Sequence, residues 1–146
     1  MATTYELKTV TLRAVEATGP SISDSGMLEK LARSAIEDLD GDQEHFVLIA
    51  FNSVLAPIGV KVMSSGGMDS AFVDSRRVFR AALLMGAAAI AVAHNHPSGG
   101  PTPSGADRNV TNQLIAGAST LELRFVDHIV LGRDSIYSFN EHGEAG

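Results

Sequence analysis

The chain contains no cysteine. That excludes a disulfide framework and any thiolate metal site, so a transition metal held here must rest on imidazole and carboxylate. Positive charge is also scarce: 11 Lys and Arg stand against 17 Asp and Glu, leaving a net charge of −6. Such a balance supplies no global attraction to nucleic acid or to an anionic membrane surface. The longest near-apolar run, residues 81–93, falls short of the roughly 20 residues a membrane-spanning helix needs. The opening "MATTYELKTV" has no basic segment followed by an apolar core, so no signal peptide is expected and a cytoplasmic location is the default. Internal repeats, low-complexity tracts and linkers are missing too, so residues 1–146 read as a single domain. What is there is an ordinary globular composition, 45% apolar and 19% charged over 146 residues, enough for one core.

Hydrophobic periodicity divides the chain into short elements. Residues 5–14 alternate in part and suggest a first strand. "SISDSG" offers caps for a helix from Met27 to Leu39, whose Leu28, Leu31, Ala32, Ala35, Ile36 and Leu39 share a face. After the turn signal "DGDQ", "EHFVLIAFN" reads as a buried strand, with a hairpin through Asn52 and Ser53 into residues 54–63. Asp74 or Ser75 caps a helix over residues 76–87, and "AIAVAH" is a short strand. A further helix follows Ser104, and the chain ends in two strands, "LRFVDHIVLG" and "SIYSFN". The order mixes parallel crossovers with antiparallel hairpins, so the expected fold class is α/β: a mixed β-sheet flanked by helices.

The chemistry concentrates in "AVAHNHPSGGPTPSGAD", residues 91–107. Alternate residues of a strand share a face, so His94 and His96 point the same way at the strand's carboxyl end. Pro97 favours this by pushing the residue before it toward extended geometry. The loop "PSGGPTP" can reverse the chain so that Asp107, in the first turn of the next helix, returns to the histidines. His94, His96 and Asp107 would then make a three-ligand site with one position open, the arrangement of a catalytic zinc. A structural reading stands beside it: Ser104 as helix N-cap, with Asp107 at the third helical position of a capping box.

The full spacing is His-x-His, seven residues, Ser, two residues, Asp. It resembles the metal motif of the JAMM (MPN-domain) metalloprotease superfamily, and "HNHPSG", "PTPS", "DHIVLG" and "YSF" resemble the bacterial RadC family in particular. The similarity covers roughly residues 42–143. It implies a JAMM/MPN-like, cytidine-deaminase-like fold, with Zn2+ on His94, His96 and Asp107. It also implies that Ser104 hydrogen-bonds the developing oxyanion or the metal's water, and that an upstream glutamate is the general base. Glu44, at the start of "EHFVLIAF", matches that glutamate's place, whereas Glu37 falls in a helix and Glu122 at a late strand. The implied reaction is hydrolysis of a peptide, isopeptide or related amide bond. Two departures stand out. By its length the chain is expected to lack the helix-hairpin-helix module that precedes the domain in full-length RadC proteins, and Gly100 occupies a position often acidic in relatives.

Other residues carry weaker signals. His45 alternates away from Glu44 and reads as a surface histidine. Asp127 and His128 read as supporting residues in a core network, and Arg76, Arg77 and Arg80 as a solvated helix face. Three functional classes follow: a zinc amidohydrolase, a DNA-repair-associated module, and a partner-binding scaffold without catalysis. The ligand set favours the first. The acidic charge argues against unaided nucleic-acid binding. A zinc nucleoside deaminase is excluded, because its signature requires cysteine ligands. Oligomeric state is not legible.

Overall fold

The computed structural model describes residue 3, residues 24–66 and residues 73–146. The strand expected over residues 5–14 lies outside them. Helix α1 (Ser25–Ile36) is capped by Asp24, whose side chain accepts from the Met27 N–H. It stops short of Leu39, which is 41% exposed and gains nothing from a longer helix. Instead Asp40 accepts from the Asp42 N–H in a local turn, leading into strand β1 (Glu44–Phe51), buried along its whole length. Strand β2 (Pro57–Gly66) begins later than the expected residue 54. Asn52 Oδ1 takes the Val54 and Ala56 N–H groups, and Leu55 sits at φ 58°, so the hairpin turn is longer than the pair Asn52-Ser53.

Helix α2 (Ser75–Leu84) takes Asp74 as its cap. It ends before residue 87 because Gly86 adopts φ 71°, the left-handed conformation that closes helices. Strand β3 (Ala89–Asn95), helix α3 (Gly105–Thr120), strand β4 (Arg124–Leu131) and strand β5 (Ile136–Ser138) complete the order. The strands form one sheet in the order β2-β1-β3-β4-β5. β3 and β4 run parallel through the α3 crossover, while the other neighbours are antiparallel. The expected mixed α/β sheet is what the chain forms.

Strand alternation divides the core in two. Val47, Ile49, Phe51, Ala91 and Ala93 pack against Leu28 and Ala32 of α1. Phe46, Leu48, Ile90 and Val92 pack on the other face against Val78 and Phe79 of α2 and Leu114 of α3. Burying each large apolar side chain contributes roughly 1.5–3 kcal/mol. The two helices on that face approach closely: a Cβ at Gly117 would lie 2.5 Å from Phe79 Cε2. Glu44 and His94 have the same parity as Phe46 and Val92, so the sheet turns both toward the α3 side.

Candidate metal centre

Glu44 at the start of β1, His94 near the end of β3, His96 just beyond it and Asp107 in the first turn of α3 converge. Each offers one ligand atom, and these atoms all lie within 4.8 Å of one another. His94 Nε2 lies 3.1 Å from Asp107 Oδ1 and 3.6 Å from Glu44 Oε1. His96 Nε2 lies 3.1 Å from both Asp107 Oδ2 and His94 Nε2. Glu44, His94 and Asp107 are buried. A recess over the cluster is lined by Glu44, Phe46, Val73, His94 and Val110 among others.

Local structure explains each placement. His96 is still tied to the sheet, its N–H donating to the Leu131 carbonyl at 2.9 Å. Its Nδ1–H donates to the Gly100 carbonyl at 2.9 Å, leaving Nε2 as the atom available to a metal. The loop after it turns at Gly99, φ 97°, and rests on the β4–β5 turn, where the Arg133 N–H donates to Gly99 O. Ser104 caps α3 in a full capping box: its Oγ accepts from the Asp107 N–H at 3.0 Å, and Asp107 Oδ2 accepts from the Ser104 N–H at 2.8 Å. The capping reading of "PSGAD" holds, and the same geometry is compatible with Asp107 as a ligand. The cap orients the carboxylate that faces the histidines. Ser104 itself is exposed at the edge of the cluster.

The electrostatics are those of an assembled donor set. Burial alone would raise the Asp107 pKa, but hydrogen bonds from His94 and His96 hold it well below the usual carboxylate range. Desolvation pushes Glu44 upward; His94 opposes this and the Asp107 charge adds to it. The hydrogen bond to Asp107 raises His96, against the effect of burial. Two imidazole nitrogens and two carboxylates in one pocket suit a borderline divalent metal better than a hard, all-oxygen one.

Three neighbours complete the site. His128 is fully buried, and desolvation drives its pKa far below the ordinary histidine value. Its Nε2 meets His94 Nδ1 at 2.8 Å and its Nδ1 meets Thr111 Oγ1 at 2.6 Å. Asn95, between the two histidines, bonds the backbone around Glu44. The pair "DH" splits: Asp127 faces away, accepting from Ser138 Oγ at 2.5 Å and from the Asn140 and His128 N–H groups. Thr111 and Asn95 carried no sequence signal of their own. Spacing from the metal motif says nothing about residues that reach it across a helix or a strand gap.

His45 departs from expectation. It is only 2% exposed, because Ser65 Oγ and the Asp40 carbonyl, each at 2.6 Å, hold its two ring nitrogens under the β1–β2 edge. Glu37 is the exposed C-cap of α1, and Glu122 sits in the turn before β4 at φ 58°. Arg76, Arg77 and Arg80 are exposed, with Arg76 paired to Asp74. A separate recess of about 460 Å³ lies elsewhere, bordered by Asp24, Leu28, Leu55, Asp127 and Glu141. Among the described residues it holds no group of converging metal-ligating side chains. None of the described helices is long and apolar enough to cross a membrane.

Residues 22–144 match the family model of the RadC-like JAB domain. Among curated proteins, the chain is 38% identical over 102 residues to the UPF0758 protein YfjY of Escherichia coli, covering 70% of this chain and 64% of that one. It is 36% identical over 124 residues to a UPF0758 protein of Rubrobacter xylanophilus, covering 85% of this chain and 53% of the relative. A UPF0758 protein of Listeria welshimeri is 40% identical over 101 residues, covering 69% and 45%. The chain thus spans about half to two thirds of the length of these relatives.

Proposed function

Since this chain belongs to the RadC-like JAB domain family, we propose that it is a zinc-dependent hydrolase of peptide, isopeptide or related amide bonds. His94, His96 and Asp107 hold the ion and Glu44 carries the proton. The observation that supports this is the convergence of two imidazole Nε2 atoms on the Asp107 carboxylate, with Glu44 3.6 Å from His94 and buried beside them. Zinc bound there supplies Lewis acidity and lowers the pKa of a water to about 7.

The chain's own groups supply the rest. Glu44, made a stronger base by burial, takes the proton of the attacking water and delivers it to the leaving nitrogen. Ser104 Oγ is engaged as an acceptor by the Asp107 N–H, and its O–H proton is not used in that bond. It donates to the oxygen that gains charge as the carbonyl is attacked. A partner-binding scaffold would not require this donor set, which is why hydrolysis is the favoured reading.

Elemental analysis of the purified protein tests the metal: one zinc per chain, removable by a chelator. His94→Ala and His96→Ala should abolish it. His142→Ala should not, because that ring stacks on Tyr137 outside the cluster. Equal zinc in all three variants would place the ligands elsewhere. A panel of isopeptide and peptide substrates tests the reaction, and a zinc-loaded protein inactive on all of them would overturn it.

A further inference from the structure

Behind His94 runs a chain of three buried polar side chains. Thr111, His128 and His94 are 1%, 0% and 2% exposed, so their partners are one another, nearby backbone and, for His94 Nε2, the cluster of Asp107, Glu44 and His96. A threonine hydroxyl has one proton to give. Thr111 gives it to the Asp107 carbonyl four residues earlier in α3, at 2.8 Å. Its contact with His128 Nδ1 at 2.6 Å must therefore be one in which the hydroxyl oxygen accepts and the ring N–H donates. With its proton on Nδ1, His128 presents a bare Nε2. That atom accepts from His94 Nδ1–H at 2.8 Å, so the His94 nitrogen outside the relay is Nε2, the atom facing Asp107 and Glu44, whose hydrogen bond to Asp107 a metal would replace.

The opposite polarity fails at Thr111. If the Thr111 proton went to His128 Nδ1, the hydroxyl and the Asp107 carbonyl would meet lone pair to lone pair at 2.8 Å. His128 Nε2–H would then donate to His94 Nδ1, and the His94 proton would move to Nε2, pointing into the cluster. Packing leaves the ring no easy escape, since His128 stacks on Phe139 at 4.9 Å and meets Phe46 edge-on.

We infer that Thr111 and His128 are positioning residues forming a directional hydrogen-bond relay, which holds the His94 proton on Nδ1 so that Nε2 is the nitrogen presented to a metal. The inference rests on the metal reading above for its purpose, but not for its geometry. The same hydroxyl also bonds the backbone of Asp107, so one side chain of α3 aligns two ligands from different elements. Hydrogen-bond partners of metal-bound imidazoles commonly set both tautomer and affinity.

The test uses the whole chain with two variants. Thr111→Val keeps the shape and removes the hydroxyl, whereas Thr111→Ser keeps the hydroxyl. Nitrogen-15 NMR of the histidine rings in the metal-free parent should show Nδ1 protonated in both His94 and His128; protonation of His128 at Nε2 would overturn the relay. By chelator competition, zinc affinity of Thr111→Val should fall by about 10- to 100-fold, with Thr111→Ser close to the parent. Parent-like affinity in Thr111→Val would overturn the relay and leave the proposed function intact. A parent with the expected ring protonation that binds no zinc would support the relay and overturn the function. Should Thr111→Val fail to fold, the parent ring spectrum and Thr111→Ser still decide, because loss of affinity in the serine variant contradicts a role carried by the hydroxyl.

Discussion

Asn95 holds the backbone on both sides of Glu44. Its Nδ2 donates to the Gln43 carbonyl at 2.9 Å and its Oδ1 accepts from the His45 N–H at 2.7 Å. The β1–β3 ladder ends where Phe46 faces His94, so the side chain continues it where the backbone of β3 no longer does. The residue between the two histidines thereby sets the position of the carboxylate opposite them.

Replacing Asn95 with Ala should remove both bonds and lower stability by about 1–3 kcal/mol, measurable by thermal or urea unfolding. Zinc content should persist, since no proposed ligand is altered, while kcat/KM on any amide substrate should fall as Glu44 loses its registration. Unchanged kcat/KM would mean that β1 positions Glu44 without Asn95.

Glu44→Gln separates proton transfer from binding. The amide keeps the side chain's size but does not serve as the base, so zinc and Tm should remain near parental values while hydrolysis drops roughly 10²- to 10⁴-fold. Asp107→Asn should instead weaken or lose the metal, because a neutral amide is a poor zinc ligand. Glu37→Gln, at the exposed end of α1, is the control and should change neither property. Loss of zinc in Glu44→Gln would make Glu44 a ligand.

The Asp107–His96 pair has a pH window that can be read from its shifts. Asp107 is lowered from 3.8 despite its burial, so its contribution to stability is present above that value and lost as pH falls toward the depressed one. His96 is raised from 6.5, so its contribution is full below that value and lost as pH rises through the raised one. Both hold together in mild acid. Asp107→Asn should therefore lower the Tm of the metal-free protein more at about pH 5.5 than at about pH 8.5. Zinc should run the other way, because binding at His96 would displace its proton. Its affinity should rise with pH across the same range, by up to about tenfold per unit for each proton released. Calorimetry and chelator competition at the two pH values check both signs, and pH-independent zinc affinity would remove His96 from the ligand set.

Affinity for random duplex DNA should be weak at physiological salt, about 10⁻⁴ M or poorer. The net charge is −6, and one of the three clustered arginines, Arg76, is paired with Asp74 at 3.1 Å. An anisotropy titration at stated ionic strength measures it. Tight binding lost on removing the charges of Arg76, Arg77 and Arg80 would favour a DNA-associated role.

The sequence by itself determined the mixed sheet, the order of helices and strands from α1 onward, and the placement of His94, His96, Ser104 and Asp107 around one loop. These follow from local rules: strand alternation puts His94 and His96 on one face, Pro97 keeps the chain extended, and a capping box has a fixed spacing. Element ends were less legible, as at Gly86 and Leu39, because a backbone conformation or the lack of burial stops a helix that periodicity would continue. Glu44 was found by resemblance, since it lies fifty residues from His94 and only the antiparallel β1–β3 register brings the two together. The burial of His45, the parting of Asp127 from His128, and the bonds made by Thr111 and Asn95 were decided by tertiary structure alone. Each depends on which polar groups remain without water or backbone partners once the sheet and α3 have closed over them, and that accounting exists only in three dimensions.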